Sequence, residues 1–148
     1  MSGPEDQQPA APGTENPLAS SWKPVLDSAL SGGPLSVDPE GLRRCIQLCQ
    51  DHAKEMGDCA ERARDELRVD ALGIGEADLD SARLLVEKFN DKAVGGGKIP
   101  FGSSAVGMFR AHEAFALDMK STFEGVLRAY EEQEGITVDN LGSAGGDL

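Results

Sequence analysis

The chain has 148 residues, about one domain's worth on length alone. Its 26 acidic against 14 basic side chains leave a net charge of −12, which argues against nucleic acid or an anionic membrane as partner, since both attract positive patches. With aromatic residues at only 5%, any core must come from Leu, Val, Ala and Met, which suits helices packed along a narrow seam.

Six of the eight prolines fall in the first 34 residues, among Gln, Ser, Gly and Ala. Such a segment cannot bury enough apolar surface to offset its ordering entropy, so residues 1–34 are expected to form a mostly disordered arm. Its first 18 residues have neither a basic n-region nor an apolar h-region, so no Sec signal peptide is expected. Nor does any stretch of the chain reach the ~20 apolar residues of a membrane span. Leu18, Trp22, Val25, Leu26 and Leu30 make one apolar island in the arm. It is either a transient, lightly packed segment or a docking peptide built on the only tryptophan.

Order is expected to begin at Leu35-Ser36-Val37-Asp38-Pro39-Glu40. Asp38 is an N-cap acceptor, Pro39 fits the first helical position, and Glu40 suits the positive end of the helix dipole. The apolar residues that follow are Leu42, Ile46, Cys49, Ala53, Met56, Ala60, Ala63 and Leu67, at alternating spacings of 4 and 3. This heptad seam predicts a helix over about 39–68, roughly 45 Å long. Gly73 and Gly75 should break it. Asp78 is expected to cap a shorter helix with Leu79, Ala82, Val86 and Phe89 on its inner face, ended by Gly95-Gly96-Gly97. The last helix is expected from Ser103 or Ser104 to about Glu134, with the seam Ala105, Phe109, His112, Ala116, Met119, Phe123, Val126 and Tyr130. The spacing again alternates 4 and 3. Residues 135–148 read as a flexible tail.

The expected fold is therefore all-α: an antiparallel hairpin of two long helices over 35–134, with a short helix in the connector and flexible tails on both sides. Leu42, Ile46, Cys49, Met56, Leu67, Phe109, Met119, Phe123 and Val126 are its expected seam and partner interface. Leu84, Leu85, Leu117 and Leu127 widen the apolar stripe beyond the seams. Either a partner chain covers them, or the middle helix and the arm do so in a monomer.

The residues offer little for catalysis or metal binding, and neither an enzyme nor a cofactor is expected. Cys45, Cys49, His52 and Cys59 share one side of a helix, but 14 residues span about 21 Å, whereas zinc ligands sit within ~2.3 Å of one ion. Small apolar packing is the expected role of these cysteines. Gly95-Gly96-Gly97-Lys98 is not a phosphate loop, because Lys92 stands where that loop needs glycine and Ile99 where it needs Ser or Thr.

Tyr130 and Glu134 are four residues apart and so share one helix face. With the seams, they give the chain a resemblance to the WXG-type, ESX-secretion-associated helical hairpins of type VII secretion systems in actinobacteria. The branch it looks like lacks the Trp-x-Gly turn. Leu35-Ser36-Val37-Asp38-Pro39-Glu40-Gly41-Leu42 is similar to that branch's opening L-x-V-x-P-E-x-L. Phe101-Gly102-Ser103-Ser104 is similar to the turn entering its second long helix, and Tyr130 with Glu134 to its export signal. The resemblance implies a non-enzymatic secretion substrate or substrate partner, made in the cytoplasm and exported by a non-Sec route. Its implied partners are a second copy or a related helical hairpin, and the type VII machinery. The chain departs from the family in having no Trp-x-Gly between the helices, and in a connector that holds its own helix. Tyr130 also stands in a seam, where packing against the first long helix is its other reading. A cytosolic helical adaptor or chaperone that binds a partner helix and is not exported is the alternative function.

Overall fold

The computed structural model describes the backbone of residues 22–144 and the side chains of residues 22–135. Four α-helices are found among the described residues: α1 (Lys23–Ser31), α2 (Pro39–Glu66), α3 (Asp80–Val94) and α4 (Ala105–Ala144). A 3-10 turn over Phe101–Ser103 precedes α4, and a single β-bridge, Gly96 to Ile99, is the only extended pairing among these residues. The protein is all-helical in class. The chain divides into two compact units, one of residues 57–111 and the other, as far as it is described, of residues 22–56 and 112–144.

In the second unit, the start of α2 follows from local chemistry. Pro39 is its first residue, and the Leu42 N–H donates to the Asp38 carbonyl at 2.9 Å, which puts Asp38 at the N-cap. Ahead of it stands a helix where the composition predicted disorder. In α1, Pro24 occupies the first turn and Trp22 the N-cap, whose carbonyl accepts from Val25 and Leu26 at 3.0 and 3.2 Å. A nine-residue helix is marginal by itself, so tertiary contacts must hold it. The Trp22 ring supplies them, standing edge-on to Phe115 at 5.7 Å and tilted over Phe123 at 6.3 Å. The Trp22 backbone N–H donates to Asp118 Oδ2 at 2.9 Å. The indole Nε1 is buried without a hydrogen-bond partner, a polar cost accepted to seat the ring. Leu18 lies outside the described residues.

The first unit is knit by small residues. Ala60, Ala63 and Val106 form its buried cluster, with Val94, Ala105 and Phe109 packed against it. Ser104 is fully buried and caps α4, its Oγ accepting from the Gly107 N–H at 3.0 Å and donating to the Phe101 carbonyl at 2.7 Å. Gly107 is required here, because a Cβ at that position would lie 1.7 Å from the Phe101 oxygen. In the loop before α3, the Glu76 carboxylate accepts the backbone N–H groups of Leu72, Gly73 (2.9 Å) and Ile74 (3.2 Å). Asn90 clamps Val69, accepting from its N–H and donating to its carbonyl, both at 2.9 Å.

Three helix expectations are corrected. The N-cap of α3 is Leu79 rather than Asp78, and no side chain caps it. Its buried residues are Ala82 and Ala93, while Leu79 and Phe89, expected inside, are half or more exposed. Small side chains let the backbone approach closely, and the bulky ones are left outside. Finally, α4 does not end near Glu134 but runs on through Gly135 to Ala144. One glycine in a helix costs about 1 kcal/mol and does not by itself stop it. The rest of the expected C-terminal tail, 145–148, lies outside the described residues.

Candidate functional site

The seam positions can be read one by one. On α2, Leu42, Ile46 and Met56 are half-buried and Cys49 is buried. On α4, Phe109, Met119, Phe123 and Val126 are half-buried. Leu67 differs: α2 ends at Glu66, and Leu67 is 49% exposed just beyond it. Within the first unit, Leu67 and Phe109 face a shared recess of about 230 Å³, with Cys59 and Ala63.

Tyr130 and Glu134 lie well inside α4, one turn apart, with Tyr130 half-buried and Glu134 exposed. Two contacts within the second unit tie the residues between and beside them to the start of α2. Gln133 clamps Leu35, its Oε1 accepting from the Leu35 N–H at 2.7 Å and its Nε2 donating to the Leu35 carbonyl at 3.1 Å. Arg43 bridges Glu40, at 2.5 Å, and Glu131, at 3.1 Å. Its hydrogen bonds to the carboxylates of Glu131 and then Glu40 hold the guanidinium pKa above the usual arginine range. The Leu35–Leu42 opening and the Tyr130–Glu134 segment are thus brought together, although about 90 residues separate them in sequence. Further along, Lys120 Nζ donates to Gln50 Oε1 at 2.7 Å.

Neither Gln133 nor Arg43 stood out in the sequence. Their partners are Leu35 and Glu131, at separations of 98 and 88 residues, and no local pattern encodes pairings so remote.

Cys45, Cys49 and Cys59 are free thiols. No cluster of three or more His, Cys, Asp or Glu that could hold a metal ion occurs among the described residues. Among the same residues, no helix is long and apolar enough to cross a membrane. No family model, curated protein or solved structure matches the chain.

Proposed function

We propose that this chain is a non-enzymatic substrate, or substrate partner, of a type VII secretion system, recognised through Tyr130 and Glu134. The observation that carries the reading is the joining of its two family-like segments. Gln133 holds Leu35 and Arg43 holds Glu131, so the opening segment flanks the Tyr/Glu pair. Tyrosine offers contact area at little entropic cost, and glutamate adds charge specificity. The half-buried ring fixes where the pair sits, and the exposed carboxylate is free to be read.

In this reading α2 and α4 form an antiparallel hairpin. Support comes from the second unit, where Arg43 meets Glu131 and Gln50 meets Lys120, so numbers that rise on one helix fall on the other. The hairpin pairs with a second copy or a related chain, and leaves the cytoplasm folded by a non-Sec route. The extension of α4 past Glu134 makes the pair an internal helical feature, read from the side.

A cytosolic adaptor that binds a partner helix is the second reading. The outward Leu84, Leu85 and Phe89 of α3, each 40–55% exposed, favour it. Export separates the two. In the native host, wild type is compared with Tyr130→Ala and Glu134→Ala, with a cytosolic marker controlling for lysis. Secretion supports the first reading if wild type reaches the medium and both variants stay inside at normal cellular levels. Retention of all three, while other type VII substrates are exported, overturns it in favour of the adaptor.

A further inference from the structure

We infer that the first unit carries a binding site for a small amphiphile with an apolar body and a carboxylate head, between α3 and the turn that follows it. This inference is independent of the secretion reading. The site is a cavity of about 440 Å³, within the range of ordinary ligand pockets. Leu84 and Ile99 give it apolar walls, and Lys88, Lys92 and Lys98 stand around it.

The lysines are the unusual feature. The chain has only six and a net charge of −12, yet three of the six line this one cavity. Among the described residues none of the three makes an ion pair or a side-chain hydrogen bond, while Arg43, Arg62, Arg64, Arg83 and Lys120 all pair with carboxylates. Lys88 and Lys92 are also one turn apart on α3. Like charges at that spacing destabilise a helix, a cost that an anion lying between them would remove. Their aliphatic stems extend the apolar wall that begins at Leu84, one turn earlier, so the charges sit at the end of a greasy surface.

Lys98 reaches this face only because the turn is tight. Gly96 and Ile99 exchange both backbone hydrogen bonds, at 2.9 and 2.8 Å. Gly95, Gly96 and Gly97 all have positive φ (87°, 134° and 54°), which glycine alone adopts freely. A Cβ on Gly97 would lie 2.6 Å from Asp91 Oδ2, so the Asp91 carboxylate fills the space against the turn. Glu87 remains as the other acidic lining residue, and the three lysines outnumber the two carboxylates. A concave, apolar-walled site ringed by unpaired ammonium groups fits a carboxylate amphiphile better than an extended peptide, which would need a longer groove.

The test is a titration of the full-length chain with decanoate, followed by amide NMR at Gly96, Gly97, Lys98 and Ile99 and by calorimetry. Decanol, acetate and a short Glu-rich peptide are the comparators. Decanoate is expected to saturate these amides, with binding that weakens as salt rises. Decanol and acetate should each bind at least tenfold more weakly, because one lacks the charge and the other the apolar body. Lys88→Gln with Lys98→Gln should lower decanoate affinity at least tenfold, while Lys54→Gln leaves it unchanged. All three are exposed lysines, so the fold should survive, as far-UV circular dichroism would verify. Several results would overturn the inference: no saturable shift, equal binding of decanol, an unaffected double variant, or a peptide that saturates the same amides where decanoate does not.

Discussion

Replacing Gly107 with alanine is expected to reverse the usual sign of a helical Gly→Ala change. In an exposed helix interior that change gains about 1 kcal/mol. At Gly107, however, the new Cβ would stand 1.7 Å from the Phe101 oxygen, 2.5 Å from its carbonyl carbon and 3.0 Å from Gly102 Cα, where real Cβ atoms essentially never come within 3.0 Å. All three neighbours are backbone, so no side chain can swing away. The 3-10 turn must move by more than an ångström, at an overpacking cost of about 3 kcal/mol. The shift also strains the two hydrogen bonds that Phe101's carbonyl accepts, from the Ser104 N–H and Oγ, each contributing about 1 kcal/mol. The expected net loss is about 3 kcal/mol. Two controls lie in the same helix. A Cβ on Gly135 meets nothing within 4 Å, so Gly135→Ala should stabilise by up to about 1 kcal/mol. A Cβ on Gly125 meets only the Leu26 side chain, at 3.0 Å, so Gly125→Ala should fall between the two. Urea denaturation followed by circular dichroism ranks the three variants. Gly107→Ala as stable as wild type would refute the packing of the turn against α4.

Phe123→Asp should lower the melting midpoint by roughly 5–10 °C, because it places an unpaired charge in the stripe and removes a ring beside Trp22; an unchanged melt would contradict the role of Phe123. Burial, and then the neighbouring Cys45, push the Cys49 thiol pKa up, so iodoacetamide at pH 8 should alkylate Cys49 more slowly than Cys45 or Cys59, as mass spectrometry of the digest would read. Its own backbone N–H, and then that of Leu72, hold the Glu76 carboxyl below its ordinary 4.5. The native-state pKa is the lower one, so the loop's stabilisation is complete above the ordinary carboxyl range and is lost as pH falls through the depressed value. Leu72 and Gly73 amide protection should therefore persist at pH 6 and fade in acid, and Glu76→Gln should abolish that dependence.

Much of this fold was legible because it is written locally. Asp38-Pro39 marks the start of α2, Ser104 caps α4, and the triple glycine ends α3, each through a short-range backbone requirement. The alternating 4 and 3 spacing traces residues that are all buried or half-buried except Leu67. Local signals failed where distant contacts decide. Proline-rich composition concealed α1, because its anchor is Trp22 against Phe115 and Asp118, the latter 96 residues away. On α3, two overlapping apolar faces share the helical period, and close packing chose the alanines over Leu79 and Phe89. Tyr130 and Glu134 were visible as a spaced pair, but the Gln133 and Arg43 contacts that join them to the opening of α2 were not.

The most direct test of the secretion proposal needs no variant at all. The wild-type chain would be expressed in its host with the type VII machinery intact and in the same strain with that machinery deleted, and the culture medium and cell lysate would be compared. The proposal predicts the protein in the medium of the first strain and only in the lysate of the second. Equal amounts in both media, or none in either, would contradict it.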